Sequence, residues 1–171
     1  MKRGWIVLLV TVGLAWPLAS HAQVSAYAEF SVTSMKSAPK GDVFYGATTG
    51  VLIDGPKIFH AVVVSADLQG RFVGKDGQRM DGATIGPRFS IPMRAKLTPF
   101  AEFLVGFARF NDGSGHSSTD QTFQINGGVS RQLTPRLDAV LDYSYAQFGY
   151  NAGQFNPKTF SIGAVYHFVK R

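Results

Sequence analysis

The chain has no cysteine in its 171 residues, so it can build neither a disulfide framework nor a thiolate metal site. Beyond residue 22 no run approaches the ~18 consecutive apolar residues of a helical membrane span, which excludes a helical membrane protein for that part. Acidic residues are fewer than basic ones, 11 against 17, but a formal net charge of +6 is too modest to indicate nucleic acid as a partner. Stability in such a chain has to come from packing and backbone hydrogen bonds.

What is present begins with the N-terminus. Lys2 and Arg3 precede an apolar run from Trp5 to Trp16, then Pro17 and the small-residue pattern Ser20-His21-Ala22. This is the layout of a secretory signal peptide, residues 1–22, with cleavage expected after Ala22. A retained membrane helix is the alternative, but the run is shorter than the ~20 residues a span needs. Removing 22 of 171 residues leaves 149, which form one domain, residues 23–171; losing Lys2 and Arg3 lowers the charge from +6 to +4.

The mature part repeats a strand-sized unit of alternating apolar and polar residues, bounded by Gly, Pro, Asn and Asp. Eight such units fall at about 23–35, 43–54, 58–70, 80–92, 97–110, 119–132, 136–148 and 158–168. Longer connections at 37–42, 71–79, 111–118 and 149–157 alternate with tighter ones at 54–57, 92–96 and 133–135. Long loops therefore share one end and short turns the other, as in an up-and-down barrel of outer-membrane type.

The two faces differ consistently. Strand five sets Ala101, Phe103, Val105 and Phe107 against Phe100, Glu102, Leu104, Gly106 and Ala108, and strand seven sets Leu137, Leu141, Tyr143 and Tyr145 against Asp138, Asp142 and Ser144. Alternation alone also suits a soluble sandwich. Aromatic residues recur near the ends of the apolar faces, at Phe30, Tyr45, Phe89, Phe107, Phe123, Tyr143, Tyr145, Phe160, Tyr166 and Phe168, where interfacial girdles need them. Glycines on the opposite faces suit a lumen better than a surface washed by solvent. The apolar faces are therefore expected to point outward.

The runs GATIGPRFSIPMRAKLTPFAEFLVGFARF (82–110) and QTFQINGGVSRQLTPRLDAVLDYSYAQF (121–148), with the terminal FSIGAVYHF, resemble the small bacterial outer-membrane β-barrel domain proteins, broadly similar to OmpA and OmpX. The resemblance is best over 82–168 and implies an all-β, eight-stranded antiparallel transmembrane barrel in the outer membrane of a Gram-negative cell. It implies no catalytic residues and no cofactor. It also implies that Phe168 is the aromatic mark read by the outer-membrane assembly machinery, although Val169, Lys170 and Arg171 follow it. Pro87 cannot donate a ladder hydrogen bond, so an irregularity is expected there.

Inside such a barrel an ionic plug is expected. A turn centred on Ala95 places Arg88 across from Glu102, a turn near Thr134 places Asn126 across from Asp142, and Glu29 enters from strand one at similar depth. Arg88 then serves as shared partner for Glu29 and Glu102, because a buried charge is costly unless paired. The plug reads either as lumen filling, which an eight-stranded interior needs, or as a gate or proton site.

Ser114, His116, Ser117 and Ser118 with Asp112 and Asp120 supply the residue types of a serine hydrolase, but on a Gly-rich loop with no rigid elbow. His60 and His167 lack a second metal ligand at suitable spacing. Lys36 and Lys40 in the first long loop, with Arg71, Lys75 and Arg79 in the second, put five cations at the outer rim, where they could meet lipopolysaccharide phosphates. The expected protein is thus a monomeric, non-enzymatic envelope barrel with a structural, anchoring or surface-contact role. A narrow channel or carrier is the second reading, and a soluble periplasmic barrel with its greasy faces turned inward is the third.

Overall fold

A computed structural model of the protein describes residues 23–35, 42–58, 61–148 and 156–169. The signal segment, Lys36, Lys40, His60, Lys170 and Arg171 lie outside them. Eight strands run in chain order: β1 Val24–Met35, β2 Asp42–Ile58, β3 Val62–Lys75, β4 Gln78–Ser90, β5 Leu97–Asn111, β6 Ser117–Thr134, β7 Leu137–Phe148 and β8 Lys158–His167. Each pairs antiparallel with the next, and β8 pairs with β1, so the sheet closes into a barrel. No helix among the described residues is long and apolar enough to cross a membrane.

Side chains leave a strand on alternate faces, and here the apolar set is on the outside. All ten aromatic residues singled out above, from Phe30 to Phe168, are exposed on the outer wall, together with Leu68, Ile85, Ile125, Leu141 and Ile162. Buried inside are Glu29, Asp67, Arg71, Arg88, Glu102, Asn126 and Asp142, with many Ser, Thr and Gln side chains. The soluble reading, with greasy faces turned inward, is overturned by this inversion.

Three local expectations change. The stretch 71–79 is no loop: Asp76 (φ 48°) and Gly77 (φ 83°) form a two-residue turn, and its flanks belong to β3 and β4, paired up to Lys75 and Gln78. Both turn residues have positive φ, which is the hairpin geometry that Asp-Gly favours. DGPK (54–57) is not a turn but a bulge within β2, between Asp54 and Lys57, and it accommodates Pro56 in a strand that continues to Ile58. Pro87 brings no register shift: Ile85 pairs with Val105 and Arg88 with Glu102, so the ladder resumes in step on its far side.

Inward glycines make room for inward rings. At Gly128 an added Cβ would lie 2.5 Å from the Phe100 ring and 2.5 Å from the Leu141 carbonyl oxygen, and at Gly50 it would lie 2.5 Å from the Tyr27 ring. Phe100 and Tyr27 fill the lower lumen with Leu52, Val140 and Val165. Replacing Gly128 by valine should therefore displace Phe100 and lower the unfolding free energy by about 1–3 kcal/mol, the usual cost of overpacking. A urea midpoint of the folded barrel equal to that of the parent would contradict this packing.

Candidate functional site

The lumen has three tiers. At the short-turn end sits the apolar floor just described. Across the middle runs a polar network, and toward the long-loop end the inward positions turn apolar again, with Met35, Phe44, Val73 and Met80 buried together and Phe110 and Phe148 packed against them.

The register of β4 and β5 builds the centre of the network. Arg88 pairs with Glu102 at 3.1 Å and lays its guanidinium over the Phe100 ring, 3.5 Å from the ring centre. A planar cation on an aromatic face is desolvated at low cost. Asn126 donates to Glu102 at 2.7 Å, Gln124 donates to both Asn126 and Gln69 at 2.7 Å, and Gln69 donates to the Tyr27 hydroxyl at 3.1 Å. Tyr27 in turn donates to the Asp67 carboxylate at 3.0 Å. Five strands are thereby linked through side chains alone.

The expected cluster is thus assembled in part as foreseen. Arg88 and Glu102 meet as the turn at Ala95 requires. Asn126 does not face Asp142: it pairs with Ser144, while Gly128 pairs with Asp142, because the turn falls at Pro135-Arg136, beyond Thr134, and the bulge between Gln132 and Thr134 takes back only one residue of that displacement. Asn126 instead joins the cluster through its other neighbour, Glu102. Glu29 and Asp142 are both buried in the same lumen, with Arg71 the nearer source of positive charge for Asp142.

Arg71 is the main correction. It is not a loop cation but a buried lumen residue, because the tight Asp76-Gly77 turn draws it into β3 on the same face as Gln69 and Val73. Its guanidinium donates to Thr48 and Thr159 at 3.2 Å each and reaches Gln69 at 3.5 Å. Lys75 is half-buried at the end of β3. Arg79 is exposed, with 64% of its side chain accessible, and is bonded to Asp81 at 2.7 Å. Lys36 and Lys40 lie outside the described residues. The five-cation rim therefore reduces to Lys75 and Arg79 among the described residues, to which Arg109 on neighbouring β5 can be added.

A second constellation was not foreseen. Ser25 of β1 contacts His167 Nδ1 at 2.7 Å, and His167 Nε2 lies 3.0 Å from Asp138 Oδ2 of β7. The residue types are those of a hydrolytic triad, but Ser25 is 1% exposed, and the adjoining crevice of about 10 Å³ has room for one water at most. It is a clasp across the seam where β8 meets β1. The same seam holds hydroxyl pairs Ser31–Ser161 at 3.0 Å and Thr33–Thr159 at 2.8 Å.

In the β5–β6 loop, Asp112 accepts hydrogen bonds from the Ser114 amide and hydroxyl at 2.8 Å and from the His116 amide at 3.2 Å. The Ser114 hydroxyl donates to Asp112 and also lies 3.1 Å from His116 Nδ1, and together these bonds close an exposed turn. The Ser114 hydroxyl and amide hold the Asp112 carboxyl below its ordinary value.

Two solved structures share this architecture at low sequence identity. Neisserial surface protein A is 16% identical, with a TM-score of 0.64, over 85% of this chain and 97% of its own. Ail, the attachment invasion locus protein of Yersinia pestis, is 15% identical, with a TM-score of 0.54, over 86% and 97%. The fold is that of the small outer-membrane barrels. No protein-family model matches the chain, and no curated protein does.

Two outcomes are expected. Arg88→Ala should cost about 3–5 kcal/mol of unfolding free energy, because it strands Glu102 beside an unpaired ring, whereas Glu102→Gln, which keeps an acceptor for Asn126, should cost less. Equal urea midpoints for Arg88→Ala and the parent would remove the network as a stabilising element. For the loop, a depressed folded value means that Asp112 stabilises the turn above its unfolded titration and loses that contribution as pH falls through the folded one. Amide shifts of Gly113, Ser114 and His116 should move together only in that acidic range, and Asp112→Asn should abolish the transition.

Proposed function

We propose that the protein is an outer-membrane barrel of a Gram-negative cell, non-enzymatic and non-conducting, whose role is structural, anchoring or surface contact. The observation that carries this reading is the inversion of the faces: a largely apolar outer wall around an interior whose middle tier is polar and hydrogen-bonded. Such a wall in water would be a large uncovered hydrophobic surface, whereas in a bilayer it meets lipid while the closed ladder satisfies every strand. Phe89, Tyr166 and Phe168 at the short-turn end and Tyr45 and Tyr145 toward the other supply the two interfacial bands.

The packed middle tier supports a plug over a pore. Arg88, Glu102, Asn126, Gln124 and Gln69 bridge the lumen through hydrogen bonds, and the crevices above and below are of about 10 Å³ each. The similarity to a Neisserial surface protein and to an attachment locus protein is in keeping with surface contact as the role. Arg79 and Arg109, both exposed, are the described cations suited to lipopolysaccharide phosphates, and Phe168 is the proposed assembly mark.

Recovery in the outer-membrane fraction and heat-modifiable migration on SDS gels are the expected results, with no discrete conductance in planar bilayers. Soluble periplasmic recovery would sink the reading, and stepwise conductance would restore the channel. Ile162, exposed at mid-strand in β8, gives a sharper test. Ile162→Arg should cost about 2–4 kcal/mol if that face meets the bilayer midplane. On a wall washed by water it would cost under about 0.5 kcal/mol.

A further inference from the structure

The apolar upper tier does not fill the space it encloses. Between the polar middle and the long-loop end lies a cavity of about 220 Å³ walled by Met35, Phe44, Met80, Ala108, Phe110 and Phe148. Protein interiors close-pack, and voids larger than a water molecule are few. An apolar cavity of ~150 Å³ already accepts a benzene ring, so this one holds a single ring with a short tail. Ala108, on the inner face of β5, is the small residue at a wall position where a larger apolar side chain would close the gap.

The cup ends blind. Beneath it the polar side chains of Thr122, Gln124 and Arg71 leave only a crevice of about 10 Å³, so a molecule entering from the mouth stops there. Thr122 Oγ1 is buried at this boundary with no hydrogen-bond partner. The walls are two methionines and three phenylalanines, side chains that adapt to flat or irregular apolar bodies.

At the mouth the chemistry changes sign. Asp112, from the β5–β6 loop, and Asp120, on the inward face of β6, are the charged groups among the described lining residues, and none of these is a cation. Asp112 spends both its oxygens on the loop. Among the described residues the Asp120 carboxylate has one weak contact, accepting from Ser118 at 3.5 Å, and is the group left to receive a ligand. A carboxylate at the lip of an apolar cup selects a molecule with an apolar body and a protonated amine at one end.

We propose that the cup is a binding site for small organic cations of this class, an aromatic or short aliphatic body carrying one ammonium group, held by the Met-Phe walls and oriented by Asp120. The site goes beyond the structural role proposed above and depends only on the barrel being folded.

The methionines provide the test. Met35 and Met80 line the cup, while Met93 is exposed in the β4–β5 turn at the opposite end of the barrel. Methyl-labelled protein in zwitterionic lipid nanodiscs is titrated with 2-phenylethylammonium, with the neutral alcohol 2-phenylethanol and with the anion 3-phenylpropionate. Saturable shifts of Met35 and Met80 with Met93 unmoved are expected for the cation, with about tenfold weaker binding of the alcohol, one charge-assisted contact's worth, and none of the anion. Asp120→Asn should bring the cation to the alcohol's affinity while leaving both bound, and Ala108→Leu should abolish both. Heat-modifiable migration checks that each variant folds, and if Ala108→Leu does not, the Asp120→Asn and Met93 comparisons decide. Equal binding of cation and anion, a cation preference that survives Asp120→Asn, shifts shared by Met93, or no saturable shift would each overturn the proposal.

Discussion

Closure of the β1–β8 seam is the constraint on which the rest of this structure depends. In hydrocarbon each unpaired N–H or C=O costs several kcal/mol, so a sheet placed there must have no edge. The seam joins residues at the two ends of the chain, as Ser25 and His167 show, and no local turn can set its register. The inner side chains contribute: Ser31 with Ser161, Thr33 with Thr159, and Ser25 with His167 are cross-strand neighbours that also bond to each other. Short hydroxyl side chains suit this place, since they satisfy one another without occupying the narrow interior.

Closing eight strands leaves a lumen just wide enough for side chains, and its contents follow from that width. Two rings, Tyr27 and Phe100, fit only because glycines at 50 and 128 stand where their edges fall. Once Phe100 lies across the floor, Arg88 can stack on it and turn its guanidinium toward Glu102. The carboxylate then fixes Asn126, and Asn126 fixes Gln124. A buried charge is thus held by a sequence of contacts each of which depends on the one below, and removing the arginine leaves no other cation in contact with Glu102 among the described pairs.

The face of every strand was legible in the sequence, because a period of two is a local property and survives errors at strand ends. Arg88 opposite Glu102 was legible as well, since one turn centre fixes a whole hairpin. Arg71 was misplaced because Gly and Asp read as loop when spread through RFVGKDGQR, although Asp-Gly alone is a hairpin signal and Arg71 keeps the parity of Gln69 and Val73. Asn126 and Asp142 do not pair because LTPR turns at Pro135-Arg136 and not at Thr134, and a turn centre misjudged by one residue displaces every pair of the hairpin by two. The clasp of Ser25, His167 and Asp138 joins β1, β8 and β7, and nothing in a linear reading brings a serine near the start of the barrel to a histidine near its end.

The same period-two pattern hides the change in character along the lumen. Reading the inner face of β5 from the short-turn end gives Phe100, Glu102, Leu104, Gly106 and Ala108 before Phe110 at the rim, so bulk dips at the level of the cup. On β6 the inner face runs from Asn126 through Gln124 and Thr122 to Asp120, so the amides that seal the middle give way to a carboxylate at the lip. Adjacent strands therefore withdraw volume and add charge at the same level, on neighbouring walls. A barrel selected only to be filled gains nothing by this, since an open apolar space forfeits packing contacts. The vacancy and the carboxylate make physical sense together, as the two halves of a surface that another molecule completes.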